Sequence, residues 1–337
     1  MYASRSVSKI LYDMDYPIDA LLPWVDGDDP VLKAKRAKYL SKADSSNDDV
    51  AGATRYKSIG EIKYCVASIL RFAPFIRKIF IMTDGQDPQL GPFIEKNFPG
   101  QSGKIEIIDH SVIFKGYEKA LPVFNSNAIE AVFWNIPQMS EHILYFNDDF
   151  MLTAPVEPED FFRPDGRVVC FGSWFLTCFG KFLRAAKPKH NGHKTIGFKD
   201  LMINGQMYYF HGKGWRFINL GHTPRPLLKS WFENWARERD DMVQCNITGR
   251  FREPFHFQTQ EPFYLDMARQ GRLDLVSEES KTLYFKRRGK KDYVRLKLES
   301  FDKSSKPFAC FNSLDYCTPE EQRQVLSWLQ KRIGVSE

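Results

Sequence analysis

The sequence predicts an α/β fold, a mainly parallel sheet with helices on both faces. Short apolar runs near residues 20–25, 78–83, 105–109 and 142–147 alternate with segments whose apolar residues recur at helical spacing. Three of the runs end on polar clusters: Asp26-Gly27-Asp28-Asp29, Thr83-Asp84-Gly85 and Asn147-Asp148-Asp149. Open α/β sheets bind ligands in the crevice outside the carboxyl ends of their strands. Three such clusters favour one shared site over three unrelated turns.

Composition sets the frame. Of the 337 residues, 43% are hydrophobic and 15% aromatic, enough for a sizeable core. The net charge is +6 with a pI near 8.8. That mild excess suits anionic substrates or a membrane surface and argues against nucleic acid as the partner. The amino-terminal stretch lacks an apolar h-region and a small-residue cleavage site, so neither a signal peptide nor export is expected. Six cysteines show no CxxC pair or zinc spacing and read as buried reduced thiols of a cytoplasmic protein.

The elements follow in order. IDALLPWV (18–25) reads as a strand, then an acidic glycine turn, with Pro30 opening a helix over VLKAKRAKYL. Residues 43–54 read as a polar loop, followed by Arg55. EIKYCVASILRFA carries a helical apolar stripe that stops at Pro74. IRKIFIMTDG and KIEIIDH are the next strands. Asn125 or Ser126 caps a helix through Trp134. HILYFNDDFM then gives a buried strand ending on Asp148 and Asp149. Paired carboxylates there suit Mg²⁺ or Mn²⁺, and a plain turn is the other reading.

Beyond Pro155 the texture changes. Residues 185–200 read as a basic loop. His222 is expected at the start of a helix over PLLKSWFENWARERD, and Arg252 precedes a helix over QTQEPFYLDMARQ. Residues 281–297 read as a hairpin with Arg287, Arg288, Lys290 and Lys291 at its tip. Thr318-Pro319-Glu320-Glu321 is a capping-box signal for a final helix that docks Val325, Leu326, Leu329 and Ile333. The expected organisation is an α/β core over 18–155, with 156–337 adding to the same domain.

A cation on the acidic pair, with arginines nearby, supplies the parts for transfer from a nucleotide-activated sugar. Attack at the sugar carbon is glycosyl transfer, whereas attack at the β-phosphorus transfers sugar-1-phosphate. Spacing alone leaves both open, along with a non-catalytic glycan-binding role.

Four blocks carry a resemblance: IDALLPWVDGDDP; RYKSIGEIKYCVASILRFAPFIRKIFIMTDGQ through LPVFNSNAIEA to the NDD at 147–149; the pair GHTPRP and RFREPF; and KPFACFN with the last helix. In these the sequence resembles the Stealth proteins, sugar-1-phosphate transferases of bacterial capsule synthesis, similar to the catalytic part of the animal enzyme that tags lysosomal glycoproteins. The resemblance implies that 18–155 is a nucleotide-sugar-binding core similar to the GT-A glycosyltransferases and that 156–337 completes the same catalytic domain on the acceptor side. It implies transfer of hexose-1-phosphate from a UDP-sugar to a glycan hydroxyl with release of UMP. Asp148 and Asp149 then look like the metal pair, His222 like the catalytic base, and Arg252 like the arginine that steadies the phosphates. Asp19, Trp24, Asp26, Gly27, Arg55, Asp84 and Asn125 look like donor-site residues. The implied setting is the inner face of the bacterial membrane, with other capsule-assembly proteins as possible partners. Two positions depart from the family pattern: His256 stands where an acid is usual, and Asn312-Ser313 where Asn-Asp is usual.

Overall fold

A computed structural model describes residues 16–40, 59–186, 189–190, 193–194, 197–287, 292–312 and 314–337. The strands are β1 (Ile18–Pro23), β2 (Ile76–Thr83), β3 (Ile105–Asp109), β4 (His142–Tyr145), β5 (Phe150–Leu152), β6 (Val168–Leu176), β7 (Lys189–His190), β8 (His193–Lys194), β9 (Arg216–Leu220), β10 (Arg225–Leu228), β11 (Leu273–Val276), β12 (Thr282–Lys286) and β13 (Phe308–Asn312).

The central sheet has the order β10-β4-β1-β2-β3. Its four strands from the first half are parallel, and β10 joins the edge antiparallel to β4. The strand order reverses beside β1: β2 and β3 lie on one side of it, β4 on the other. A parallel sheet is buried on both faces, and Ala20, Leu21, Leu22, Ile79, Phe80, Ile81, Ile143 and Leu144 are all fully buried. Two three-stranded sheets accompany it, β11-β6-β9 and β12-β13-β5, and β7 pairs with β8 in a two-stranded ribbon. Because β10 completes the first sheet and β13 pairs with β5, the two halves of the chain are joined through shared sheets.

The helices form where capping and periodicity agree. α1 (Pro30–Ala37) starts with Pro30 in its first turn, and Asp29 accepts from the Val31 N–H at 2.8 Å. α2 (Glu61–Phe72) buries Ile62, Cys65, Val66, Ile69 and Leu70 against β2 and β5. Each such aliphatic side chain contributes about 1.5–3 kcal/mol, so an aspartate at Ile69 would undo the contact. α3 (Ser126–Val132) is capped by the Asn125 side chain, which accepts from the Asn127 N–H at 3.1 Å. Helices α4 (Thr177–Ala186), α5 (Phe198–Tyr209), α6 (Gln260–Arg269) and α7 (Tyr293–Asp302) follow. α8 (Pro319–Ile333) has the expected Thr318/Glu321 capping box and ends on Gly334 at φ 75°, a left-handed cap suited to glycine. It buries Val325, Trp328, Leu329 and Ile333.

Two expected elements are corrected. The 281–297 hairpin is instead a β-α-β unit. Strand β12 pairs in parallel with β13, and between them YVRLKLESFD forms α7. Val294, Leu298 and Phe301 recur at helical spacing, and all three are buried. The tip residues Arg288, Lys290 and Lys291 lie outside the described residues, as does the 43–54 loop. The segment after His222 opens as strand β10, and its helix begins only at Lys229. Pairing of Arg225–Leu228 with β4 outweighs helix propensity there. All six cysteines are free; Cys65, Cys170, Cys310 and Cys317 are buried as expected, whereas Cys178 is exposed. Among the described residues no helix is long and apolar enough to cross a membrane.

Candidate active site

The carboxyl ends of the four parallel strands open into one cavity of about 240 Å³. Trp24 and Val25 follow β1, Asp84 follows β2, His110 follows β3, and Asn147 and Asp148 follow β4. Asn125 and Arg252 close it from the side. The reversal of strand order beside β1 puts Trp24 and Asp148 at the switch point, where open sheets bind nucleotides.

Several polar atoms here have nothing to bond. Among the described residues, the buried Trp24 Nε1 and both ring nitrogens of His110 lack hydrogen-bond partners. Buried polar groups are nearly always satisfied, so orphans at a cavity wall are places for a ligand. Burial pushes the His110 imidazole down to about 4, against the pull of Asp84 and Asp109. It is therefore neutral near pH 7 and offers one donor and one acceptor. Asp84 is held by Lys35 Nζ at 2.8 and 2.9 Å.

The loop carrying Arg252 is stitched to the cavity wall. Asn125 Nδ2 donates to His256 Nδ1 at 2.9 Å, and the Glu253 N–H donates to the same nitrogen at 3.0 Å. His256 Nε2 therefore carries the proton and donates to the Thr248 carbonyl at 2.7 Å. Arg250 donates to the Ala120 and Pro122 carbonyls at 2.6 and 3.1 Å. Arg252 Nη2 reaches Ser126 Oγ at 3.4 Å.

The two consecutive aspartates diverge. Asp148 lines the cavity. Asp149 turns to β13, where its Oδ2 accepts from Cys310 Sγ at 3.4 Å and its carbonyl accepts from the Phe311 N–H at 3.0 Å. Burial, Asp149 and Glu61 together drive the Asp148 carboxyl well above its ordinary range. Burial also raises Asp149, with Cys310 and Arg225 opposing. Asp148 thus faces the cavity beside the negative charge of Asp149 and Glu61, and a positive charge bound there would relieve that repulsion.

His222 lies apart from that cavity, in the turn between β9 and β10. It lines a separate groove of about 700 Å³ with Phe198, Lys199, Glu278, Tyr284 and Lys306. Its backbone N–H donates to Glu278 Oε1 at 2.6 Å. The rings of Phe150, Phe198 and Tyr284 surround it at centroid distances of 6.2, 5.7 and 5.3 Å. Burial first, then Arg225 and Lys286, bring its pKa down to about 4. Phe150 is the residue after Asp149, so one strand end joins the acidic pair to the groove.

The profile of Stealth protein conserved region 1 matches residues 16–44, and that of conserved region 2 matches 55–170. The receptor polysaccharide phosphotransferase WefC of Streptococcus oralis is 41% identical over 266 residues, covering 70% of this chain and 74% of that protein. The capsular polysaccharide phosphotransferase WcwK of Streptococcus pneumoniae is 40% identical over 265 residues with the same coverage. The chain belongs to the Stealth family. Among solved structures, galactosyltransferase LgtC with donor and acceptor sugar analogs overlays 95% of this chain and 96% of its own at 10% identity and a TM-score of 0.43. The bifunctional glycosyltransferase WbbM overlays 95% of this chain and 52% of its own at 10% identity and a TM-score of 0.47.

The fold brings the Stealth blocks together selectively. Region 1 gives Trp24 to the cavity; region 2 gives Asp84, His110, Asn125 and Asp148. Asp26 and Gly27 sit in the turn just beyond the wall, where Gln86 bonds the Asp26 backbone at 2.9 and 3.0 Å. Arg55 lies outside the described residues. Asp19 corrects an expectation: it is fully buried toward the amino end of β1, away from the cavity. Arg77 grips it with bonds of 2.9 and 2.6 Å, and the Lys78 and Ser140 N–H groups donate at 3.1 and 2.6 Å. All its acceptor capacity is used, so it braces the sheet and cannot touch substrate. His110 and Glu61 escaped the sequence reading, which met His256 only as a departure from the family pattern. His110 had a usable signal, since it ends the third strand as the other wall residues end theirs. Glu61 and His256 act through distant partners that no local pattern shows.

Proposed function

We propose that this Stealth protein transfers hexose-1-phosphate or N-acetylhexosamine-1-phosphate from a UDP-sugar to a glycan hydroxyl, releasing UMP. The product is a phosphodiester-linked capsular or surface polysaccharide, made at the inner face of the cytoplasmic membrane. The observation that carries this reading is the convergence of Trp24, His110, Asp148 and Arg252 on one cavity at the strand ends.

The residues divide the work. Trp24 Nε1 and the neutral His110 imidazole bind the uridine portion, and Arg252 presents a planar fork to the phosphates. Asp148, on the cavity wall beside the charge of Asp149 and Glu61, would hold Mg²⁺ or Mn²⁺, with Asp149 as the neighbouring carboxylate. An ion there would take its other oxygen ligands from phosphate and water and would neutralise diphosphate charge. The acceptor glycan lies in the His222 groove, against Tyr284 and Phe198. His222, neutral at pH 7, takes the hydroxyl proton as that oxygen bonds to the β-phosphorus. The bond from the β-phosphorus to its bridging oxygen breaks, and the electron pair leaves with UMP.

The test is to incubate purified protein with Mg²⁺, UDP-sugars and capsule-type oligosaccharides and identify the released nucleotide. Acceptor-dependent UMP, lost when Asp148→Ala and Asp149→Ala are combined, supports the reading. Release of UDP would mean ordinary glycosyl transfer.

A further inference from the structure

Helix α4, TCFGKFLRAA, is amphipathic in the wrong sense for a helix packed on a core. Its buried residues are Thr177 and Gly180. A Cβ on Gly180 would sit 2.8 Å from Ile203 Cδ1 and 3.1 Å from the Phe217 ring, so the helix docks through its smallest residue. Thr177 Oγ1 and Arg184 Nη1 reach Gln206 and Asn204 on α5 at 3.4 and 3.1 Å. The aromatic residues point the other way. Phe179 is 50% exposed and Phe182 65% exposed, their rings stacked at 6.5 Å. A soluble helix ordinarily buries that stripe.

The patch continues onto the neighbouring strands. Leu176 is exposed, as is Trp215 at 65%, whose carbonyl accepts from the Thr177 N–H at 2.9 Å. Arg216, across from Leu176, lays its guanidinium over Trp174 at 3.8 Å and Trp215 at 4.8 Å. The two segments that build the patch, 174–186 and 207–217, carry Lys181, Arg184, Lys213 and Arg216 and no Asp or Glu. Arg184 also pairs with the buried Asp200 at 3.8 Å. Exposed Phe and Trp on segments whose charged residues are all cationic are the chemistry of an interfacial membrane surface, in which rings enter the headgroup boundary and cations meet anionic lipid.

We infer that the outer face of α4, with Trp215, docks the protein on an anionic phospholipid bilayer. The inference rests on the membrane-side reading of the function and names the surface responsible. It has a consequence for substrate delivery. Gly180, Leu183 and Arg184 of the same helix line the His222 groove. The groove therefore opens beside the bilayer, where a growing glycan held on a lipid would arrive.

The full chain is sedimented with vesicles of equal parts phosphatidylglycerol and phosphatidylcholine, and with phosphatidylcholine alone. Wild type is expected to bind the anionic vesicles at least tenfold more tightly than the neutral ones, less so as salt rises. Phe179→Ser with Phe182→Ser, and separately Trp215→Ser, should each weaken that binding at least tenfold. UMP release with a short soluble acceptor should be unchanged in all of them, which keeps the donor chemistry separate from docking. Wild type that stays in the supernatant overturns the inference, as do variants that bind as wild type does. A chain that is dimeric without lipid and becomes monomeric in the Phe179/Phe182 variant also overturns it, because the face would then belong to a second copy.

Discussion

The Asn125 side-chain amide donates a 2.9 Å hydrogen bond to His256 Nδ1, tying the cap of α3 to the loop that carries Arg252. His256 is fully buried and serves three partners at once. His256→Ala strips them all and should cost about 2–4 kcal/mol in urea unfolding. It should also raise the donor KM, since Arg252 loses its anchorage. His256→Asp keeps an acceptor for Asn125 and the Glu253 N–H, so it should fall between the two. A stability change under about 0.5 kcal/mol for the alanine variant, the range of an ordinary surface substitution, would remove the anchoring role.

Asp19 is expected to matter for folding only. Asp19→Ala leaves Arg77 without its bidentate partner and two backbone N–H groups without acceptors. A loss of about 3 kcal/mol is expected, the lower end for a broken buried pair because Arg77 is itself partly exposed. Donor KM of the folded enzyme should not move. A raised KM with full stability would return Asp19 to the substrate site.

His110 should govern donor binding. His110→Ala is expected to raise the UDP-sugar KM about tenfold, the worth of roughly one hydrogen bond to a buried group. Acceptor KM should stay constant. Equal effects on both substrates would contradict a donor-side role.

His222 gives a pH signature. Its folded pKa, about 4, lies below the unfolded value near 6.5. Between those values the unfolded chain binds the extra proton, so His222 costs the fold stability as pH falls through that window. Wild type should therefore lose about 3 kcal/mol relative to His222→Asn between pH 8 and pH 4, a difference that cancels the other titrating groups. Parallel stability curves would show an imidazole of ordinary pKa.

Much of this was legible in the sequence. The parallel strands, the Asn125 and Thr318 caps and the polar strand ends all follow from local patterns of period and capping. What the sequence hid was set by partners far along the chain. Asp19 and Asp148 look alike as acids beside apolar runs. Only the positions of Arg77 and Ser140 show that the first is saturated, and only Asp149 and Glu61 show that the second is crowded. His222 was misplaced because β10 exists through its pairing with β4, which no window around residue 225 contains. The helical spacing of Val294, Leu298 and Phe301 was present all along, masked by the flanking basic residues.

The most direct test of the central claim follows the β-phosphorus. The enzyme is supplied with Mg²⁺, an acceptor oligosaccharide and the productive UDP-sugar labelled at its β-phosphate, and the products are separated. Sugar-1-phosphate transfer predicts that the label enters the glycan as a phosphodiester while unlabelled UMP is released. Label recovered in UDP, with an unlabelled glycan, would contradict it.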